Sequence, residues 1–172
     1  MKLHLLPASL LLACTLTQAA DSNPVPKPLK EQVERLVMLL KDGFAVGYPE
    51  ATEVQTLKTN WENQVTLAVF TVEGFDKGNN YRQYLAAFTP DATEEGGEHY
   101  TLLDVIHIGS GGWRAIEKLQ ATRVSGPTDR QILIDIPVME NITGDAVNFP
   151  SQPGVVHLSL SGDESMRLVE KD

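Results

Sequence analysis

Cysteine is nearly absent from this chain, which contains a single one, Cys14, among 172 residues. Cys14 lies in an N-terminal segment with the layout of a secretory signal peptide: Lys2, a mostly apolar stretch, and small residues at Thr17 and Ala19 that suit signal peptidase. We therefore predict that residues 1–19 are a signal peptide and that the protein is exported, to the periplasm or beyond the cell. The mature chain would then have no thiol for a disulfide, a nucleophile or a thiolate metal site.

A second interpretation keeps the cysteine. The stretch Leu11-Leu12-Ala13-Cys14 resembles the bacterial lipobox, which would make the protein a lipoprotein held in the membrane through lipid on Cys14. Under either interpretation, the proline-rich residues 20–28 predict a flexible tether. Residues 29–172 predict a single domain. No second long apolar run follows the leader, so we expect no transmembrane segment after it.

Basic residues are also scarce. The chain has 14 lysines and arginines against 23 aspartates and glutamates, a formal net charge of -9. Such a surface repels phosphate backbones, and no basic cluster interleaved with aromatic residues occurs, so we predict that the protein does not bind nucleic acid. The same charge argues against electrostatic docking on anionic lipid.

One segment has the apolar periodicity of a helix. Apolar residues recur at spacings of three and four from Leu29 to Phe44, with charged residues of both signs between them. Pro28 fits the first turn of such a helix, and Gly43 fits its C-terminal stop. The mixed charges of the polar face favour a helix packed on the domain's own sheet over a membrane-surface helix.

From Glu53 onward the sequence pattern is typical of antiparallel hairpins, because short runs rich in β-branched and aromatic residues alternate with turn-forming clusters. The predicted strands are residues 65–72, 81–89, 99–108, 131–138 and 155–161, with a short last strand at 166–169. Residues 53–61 and 113–124 fit a strand or a helix, and we favour strands for both. Since 65–72 and 99–108 are apolar on both faces, we expect both to be central strands covered on both sides. The predicted fold is α+β, with one N-terminal amphipathic helix on a curved, mostly antiparallel sheet of about six to eight strands.

Asp104 and His107 are the candidates for general acid–base chemistry, because they are titratable groups within an apolar strand. Their odd spacing puts them on opposite faces of a regular strand, so they should not form one dyad. His99, His107 and His157 have none of the short spacings of metal ligands, and we predict no metal site and no cofactor. The glycine-rich residues 109–112 fit a tight turn better than a phosphate cradle or a nucleophile elbow.

Trp113 and the nearby Tyr81, Arg82 and Tyr84 form the best candidate for a binding surface. Aromatic residues and arginine are the usual anchors of recognition sites when they are exposed. The alternative for each of them is to pack over the adjoining strand.

The predicted order of one helix and a curled antiparallel meander is broadly similar to the cystatin and nuclear-transport-factor-like architectures. Thr122-Arg123-Val124-Ser125-Gly126 resembles the end of the cystatin protease-binding turn, although the glutamine that begins that motif is missing. Such architectures host many functions. We expect an exported, non-enzymatic binding or inhibitory domain of the bacterial periplasm or envelope, with a protein or small molecule of unknown identity as ligand. The alternatives are a small cavity enzyme of hydrolase or lyase type that uses Asp104 or His107 as general acid or base, and a structural envelope lipoprotein anchored through Cys14.

Overall fold

A computed structural model of the chain describes residues 25–61, 64–92, 96–163 and 166–171. The predicted signal peptide, Cys14 and most of the predicted tether lie outside these residues. Within them the chain forms one α-helix, α1 (Lys27–Leu40), followed by ten strands. The strands are β1 (Val46–Gly47), β2 (Glu53–Leu57), β3 (Val65–Glu73), β4 (Tyr81–Ala92), β5 (Glu98–Ser110), β6 (Arg114–Ala115), β7 (Thr122–Ser125), β8 (Gln131–Glu140), β9 (Gln152–Ser161) and β10 (Leu168–Lys171).

The strands form one antiparallel sheet in the order β1-β3-β4-β5-β6-β8-β9-β10, with β2 also paired to β3 and β7 also paired to β8. The predicted class, one N-terminal helix with an antiparallel sheet, is therefore confirmed. The predicted number of six to eight strands is too low. The reason is that β1 and β6 have two residues each, which is too short to produce an alternating pattern in a sequence. No helix in the described part of the chain is both long and apolar enough to cross a membrane.

The helix begins as predicted and ends earlier than predicted. Pro28 lies in its first turn, but it stops at Leu40 instead of continuing to Gly43. The carboxylate of Asp42 explains the early end: its Oδ1 accepts hydrogen bonds from the main-chain N–H groups of Phe44, at 2.8 Å, and Ala45, at 2.7 Å. These local bonds turn the chain away from the helix axis. Phe44, expected on the buried face of the helix, instead lies beyond its end and is half exposed.

The sheet folds back on itself and encloses two apolar cores. The first core lies between α1 and one face of the sheet and contains Leu29, Val33, Phe70, Tyr84 and Phe88. We call this face of the sheet the helix side. The second lies where β8 and β9 pack over the other face of β3 and β4 and contains Leu67, Leu85, Ile134, Ile136 and Leu158. As predicted, β3 is buried on both faces from Val65 to Phe70, and alternate residues of β8 from Ile132 to Val138 face a core.

The expectation that residues 99–108 form a central strand covered on both faces is only partly confirmed: β5 lies between β4 and β6 and packs Leu103 and Ile106 against one core and Val105 against the other. Most side chains of β5 between Thr101 and His107 are partly or fully exposed. The strand lies where the sheet passes from the β3–β4 layer to the β8–β9 layer, and its pairing with β4 contains two irregularities. Bulges of this kind bend a strand and turn its side chains away from a regular packed face.

The hairpin return expected for residues 113–124 is only partly present, because residues 116–121, between β6 and β7, have no regular structure. Glutamine side chains hold this segment in place. The amide of Gln83 accepts from the N–H of Ile116, at 2.7 Å, and donates to its carbonyl, at 3.0 Å. Gln55 makes the same pair of bonds with Ala121, both at 2.7 Å. These amides satisfy main-chain groups that a neighbouring strand would otherwise bond.

Candidate ligand-binding cleft

The two candidate acid–base residues lie on opposite faces of β5. Asp104 pairs with Ala87 and His107 pairs with Tyr84, and these partners belong to different cores. The Oδ2 atom of Asp104 accepts from the N–H of Leu168 at 2.9 Å, which ties β10 to β5. Its Oδ1 accepts from the next main-chain N–H. Both carboxylate oxygens of Asp104 are therefore used in holding the fold.

His107 belongs to a row of aromatic rings on the helix side. The ring centroids of Phe70 and Tyr84 are 5.6 Å apart, those of Tyr84 and His107 5.7 Å, and those of His107 and Trp113 5.5 Å. The guanidinium of Arg114 completes the row, 3.9 Å from the centre of the Trp113 ring. Such ring contacts add stability beyond the burial of their area.

The surroundings of His107 lower its pKa. Burial has the largest effect and lowers the pKa of His107 below its ordinary value of 6.5, and the guanidinium groups of Arg82 and Arg114 lower it further. A hydrogen bond with the main chain of Gly109 acts in the opposite direction. The imidazole is therefore neutral at neutral pH.

The four residues predicted to form one binding surface lie on two sides of the sheet. Tyr84 and Trp113 are in the aromatic row, and Arg82 is on the same side, with its guanidinium 4.2 Å from the Phe75 ring. Tyr84 is buried beneath the helix. Tyr81 is on the opposite side, because residues adjacent in a strand face opposite ways. The predicted surface is thus divided, and Tyr81 lines a cleft.

That cleft lies at one end of the sheet. The cross-strand register aligns Val46 of β1 with Glu73 of β3, and Glu73 with Tyr81 of β4. These three residues and Asn148 line a hollow of about 490 Å³. A second hollow of about 310 Å³ shares Glu73, Tyr81 and Asn148 and continues to Phe149. We call the two hollows together the Tyr81 cleft.

Exposed aromatic side chains flank the Tyr81 cleft. Phe44 is 54% exposed, Tyr48 47% and Phe149 75%. Phe44 and Tyr48 line the first hollow, and Phe149 lines the second. Large apolar side chains that remain exposed beside a concave surface are typical of a binding site.

The polar groups of the Tyr81 cleft are available to a ligand. Glu73 lines both hollows and Glu117 lines the second, and neither forms an ion pair with any residue that the structure describes. Burial raises the pKa of Tyr81 above 10.0, so its hydroxyl keeps its proton at neutral pH. The cleft therefore presents carboxylates that accept hydrogen bonds and a phenol that can donate one.

The carboxylate of Asp42 makes hydrogen bonds to two chain segments beside the cleft. Besides its two bonds at the end of α1, Asp42 accepts from the N–H of Asp76 through Oδ2, at 2.8 Å. These main-chain bonds lower the pKa of Asp42. The bond to Asp76 is made at a turn in which Asp76 and Lys77 are both in the left-handed region, at φ 54° and 59°, a conformation that non-glycine residues keep only when their surroundings fix it. Lys77 Nζ then lies 4.5 Å from the centre of the Phe44 ring.

The opposite wall of the cleft is tied to the same turn. The side-chain amide of Asn148 donates to the main-chain carbonyl of Asn79 at 2.9 Å. This bond joins the loop between β8 and β9 to the turn between β3 and β4. Hydrogen bonds thus tie both walls of the cleft to other parts of the fold.

Several residues of this surface were not predicted from the sequence. Phe44 was assigned to the helix, and Tyr48, Glu73, Asn148 and Phe149 lie in turns or at strand ends, where no pattern marks them. A further pair was also missed: His157 Nδ1 lies 2.8 Å from Asp135 Oδ1 on the exposed face of β8 and β9. Alternation could have placed each of these two residues on the solvent side, but their contact depends on the strand register.

Among the residues described, no group of three or more histidine, cysteine, aspartate or glutamate side chains is arranged to hold a metal ion. Comparisons with protein families, with curated proteins and with solved structures find no match to this chain. A function for it must therefore be argued from the side chains of its own site.

Proposed function

We propose that the protein is an exported binding domain of the bacterial periplasm or envelope, and that its ligand binds in the Tyr81 cleft. The observation that carries the proposal is the combination of exposed aromatic rings with carboxylates that lack a cationic partner, on walls that Asp42 and Asn148 hold in place. Ligand sites are typically concave, largely apolar and supplied with a few convergent polar groups. A preorganised cleft loses little conformational entropy when it binds.

The distribution of titratable groups supports binding over catalysis. Asp104 uses both oxygens for main-chain N–H groups, and neither Asp104 nor His107 lines the Tyr81 cleft. Tyr81, with its raised pKa, is a hydrogen-bond donor at neutral pH and a poor general base.

The proposal includes export of the protein and a similarity of its fold to two known architectures. Export is supported by the sequence of residues 1–19, and the lipoprotein alternative by Cys14. Mass spectrometry of the mature amino terminus separates the two, since a free Ala20 or Asp21 supports cleavage by signal peptidase and lipid on Cys14 supports anchoring. The order of one helix and an antiparallel sheet supports a likeness in outline to the cystatin and nuclear-transport-factor-like architectures, in which a binding role is one of many.

Protein-observed NMR with a panel of neutral saccharides, amines, carboxylates and short peptides tests the binding function. We expect chemical-shift changes that concentrate at Tyr81 and Asn148 and that disappear in Tyr81→Ala. Trp113→Ala is the matched control, because it removes an exposed aromatic ring on the helix side. Turnover of a substrate in a broad hydrolase and lyase screen, abolished by His107→Ala, would overturn the proposal in favour of an enzyme.

A further inference from the structure

The charge of the Tyr81 cleft restricts its ligand. Its ionisable lining residues, within the described part of the chain, are Glu73, Glu117 and the phenols of Tyr48 and Tyr81. Neither carboxylate has a cationic partner among the described residues, and the chain as a whole carries a net charge of -9. A concave surface lined by one sign of charge concentrates ligands of the opposite sign.

The aromatic rings of the cleft favour the same sign. The face of an aromatic ring attracts ammonium groups, and quaternary ammonium ligands are characteristically bound by such rings. The structure already contains one example at this site, because Lys77 Nζ lies 4.5 Å from the centre of the Phe44 ring. Tyr48 and Phe149 present further exposed rings at the cleft.

We infer that the Tyr81 cleft selects organic cations: ligands that carry an ammonium group on an apolar body. In this arrangement the ammonium group lies between Glu73 and the faces of the aromatic rings, and the carbon body packs against the same rings. An anion would be repelled by the two carboxylates, which form no ion pair with any described residue, and the nearby Lys77 lies against the face of the Phe44 ring. A neutral ligand would remove water from Glu73 without supplying a counter-charge, which is unfavourable. The inference rests on the proposed binding function and narrows it to one class of ligand.

Three probes of nearly the same shape test this inference. Choline is the cation, 3,3-dimethylbutan-1-ol is its neutral isostere, and 3,3-dimethylbutanoate is the anion. Titrations of the purified protein, followed by NMR at Tyr81 and Asn148, should show choline binding about tenfold more tightly than the alcohol. Raising the salt concentration from about 0.05 to 0.5 M should weaken choline binding and leave the alcohol unchanged.

Three variants test whether the preference for choline arises in the Tyr81 cleft. Glu73→Gln should make choline and the alcohol bind with similar affinity, whereas Glu34→Gln, which neutralises an exposed carboxylate of α1 outside the cleft, should leave choline binding unchanged. Lys77→Gln should tighten choline binding by about twofold to fivefold, because it removes a competing cation from the Phe44 ring. The salt dependence of the unmodified protein gives a further test that requires no variant.

Two results would overturn the inference. If the alcohol or the carboxylate binds in the cleft as tightly as choline, the selection of cations is wrong and the binding function stands. If none of the three probes shifts Tyr81 or Asn148, the inference also fails. The wider ligand panel then decides independently whether the cleft binds anything.

Discussion

The buried guanidinium of Arg114 makes a strong prediction about stability. Arg114 is only 6% exposed. Its two terminal nitrogens donate to the two carboxylate oxygens of Glu170, at 2.7 and 2.6 Å, and its Nε donates to the carbonyl of Ile108 at 2.7 Å. The pair thus fastens the last strand, β10, to β6. Replacing Glu170 by glutamine would leave the guanidinium buried without its counter-charge.

The size of the effect follows from the burial of the two partners. Removing one partner of a fully buried pair costs about 3–5 kcal/mol, whereas exposed pairs contribute about 0–1 kcal/mol. The side chain of Glu170 is 44% exposed, so solvent screens the pair in part. We therefore expect Glu170→Gln to lower the free energy of unfolding by about 2 kcal/mol. For a domain of this size the melting temperature should fall by about 4–8 °C.

The effect should depend on pH with a definite sign. The hydrogen bonds from Arg114 hold the pKa of Glu170 below its ordinary value of 4.5, against an opposing effect of burial. A carboxyl group whose pKa is lowered on folding contributes its full stability above the ordinary value and loses it as the pH falls through the lowered value. The difference between the original protein and Glu170→Gln should therefore be largest near neutral pH and should shrink below pH 4.5.

Urea unfolding followed by circular dichroism, near pH 7 and near pH 3, measures both quantities. Glu34→Gln is the control, because it neutralises an exposed carboxylate of α1 and should change stability by less than about 0.5 kcal/mol. If Glu170→Gln has an effect as small as this control near neutral pH, the argument from the buried guanidinium is refuted. It is also refuted if the loss is the same at both pH values.

Three further perturbations test other parts of the structure. Gly162→Ala would place a Cβ atom 2.3 Å from the ring of Trp61, so we expect urea unfolding to show a free energy of unfolding lower by about 1–3 kcal/mol. Gly43→Ala is the control, because no atom lies within 4 Å of its Cβ. Equal losses in the two variants would contradict the expected clash with Trp61. Burial lowers the pKa of His107 below 6.5, so the protein should lose stability as the pH falls below 6.5. His107→Gln should make the free energy of unfolding less dependent on pH in this range. An unchanged slope would show that His107 does not cause the pH dependence. Asp42→Ala removes the acceptor of three main-chain N–H groups, those of Phe44, Ala45 and Asp76. Hydrogen exchange at these amides should accelerate, and choline should bind more weakly. Unchanged exchange would mean that other contacts hold this wall of the cleft.

The parts of the fold that were predictable from the sequence depend on local periodicity. The alternation of apolar residues from Ile132 to Val138 identified the buried face of β8, and the apolar residues on both faces of 65–72 identified a strand that is buried on both sides. In both cases the pattern reflects contacts that repeat along one strand. The exposure of β5 was not predictable, because it depends on irregularities in its pairing with β4.

Of the residues that line the Tyr81 cleft, only Tyr81 was a binding candidate from the sequence. Tyr81 was a candidate because aromatic residues often anchor ligands, but its partners depend on register. Val46 meets Glu73 because the two-residue strand β1 pairs at that position of β3, and Glu73 meets Tyr81 because of the register between β3 and β4. A strand of that length leaves no periodic signal, and a shift of one residue would have placed these side chains on the other face.

The end of the helix and the formation of the cleft have the same physical origin. The apolar spacing of α1 continues to Phe44, and local sequence alone favours a helix that buries this ring. Asp42 opposes that outcome, because its carboxylate satisfies two N–H groups just after the helix and a third in the distant turn at Asp76. The contact with Asp76 exists only in the folded sheet, so no local pattern could reveal it. By ending the helix at Leu40, these bonds place Phe44 at the rim of the cleft, where Lys77 already binds its face. An aromatic residue that helical periodicity assigns to the core thus lies half exposed beside the cleft.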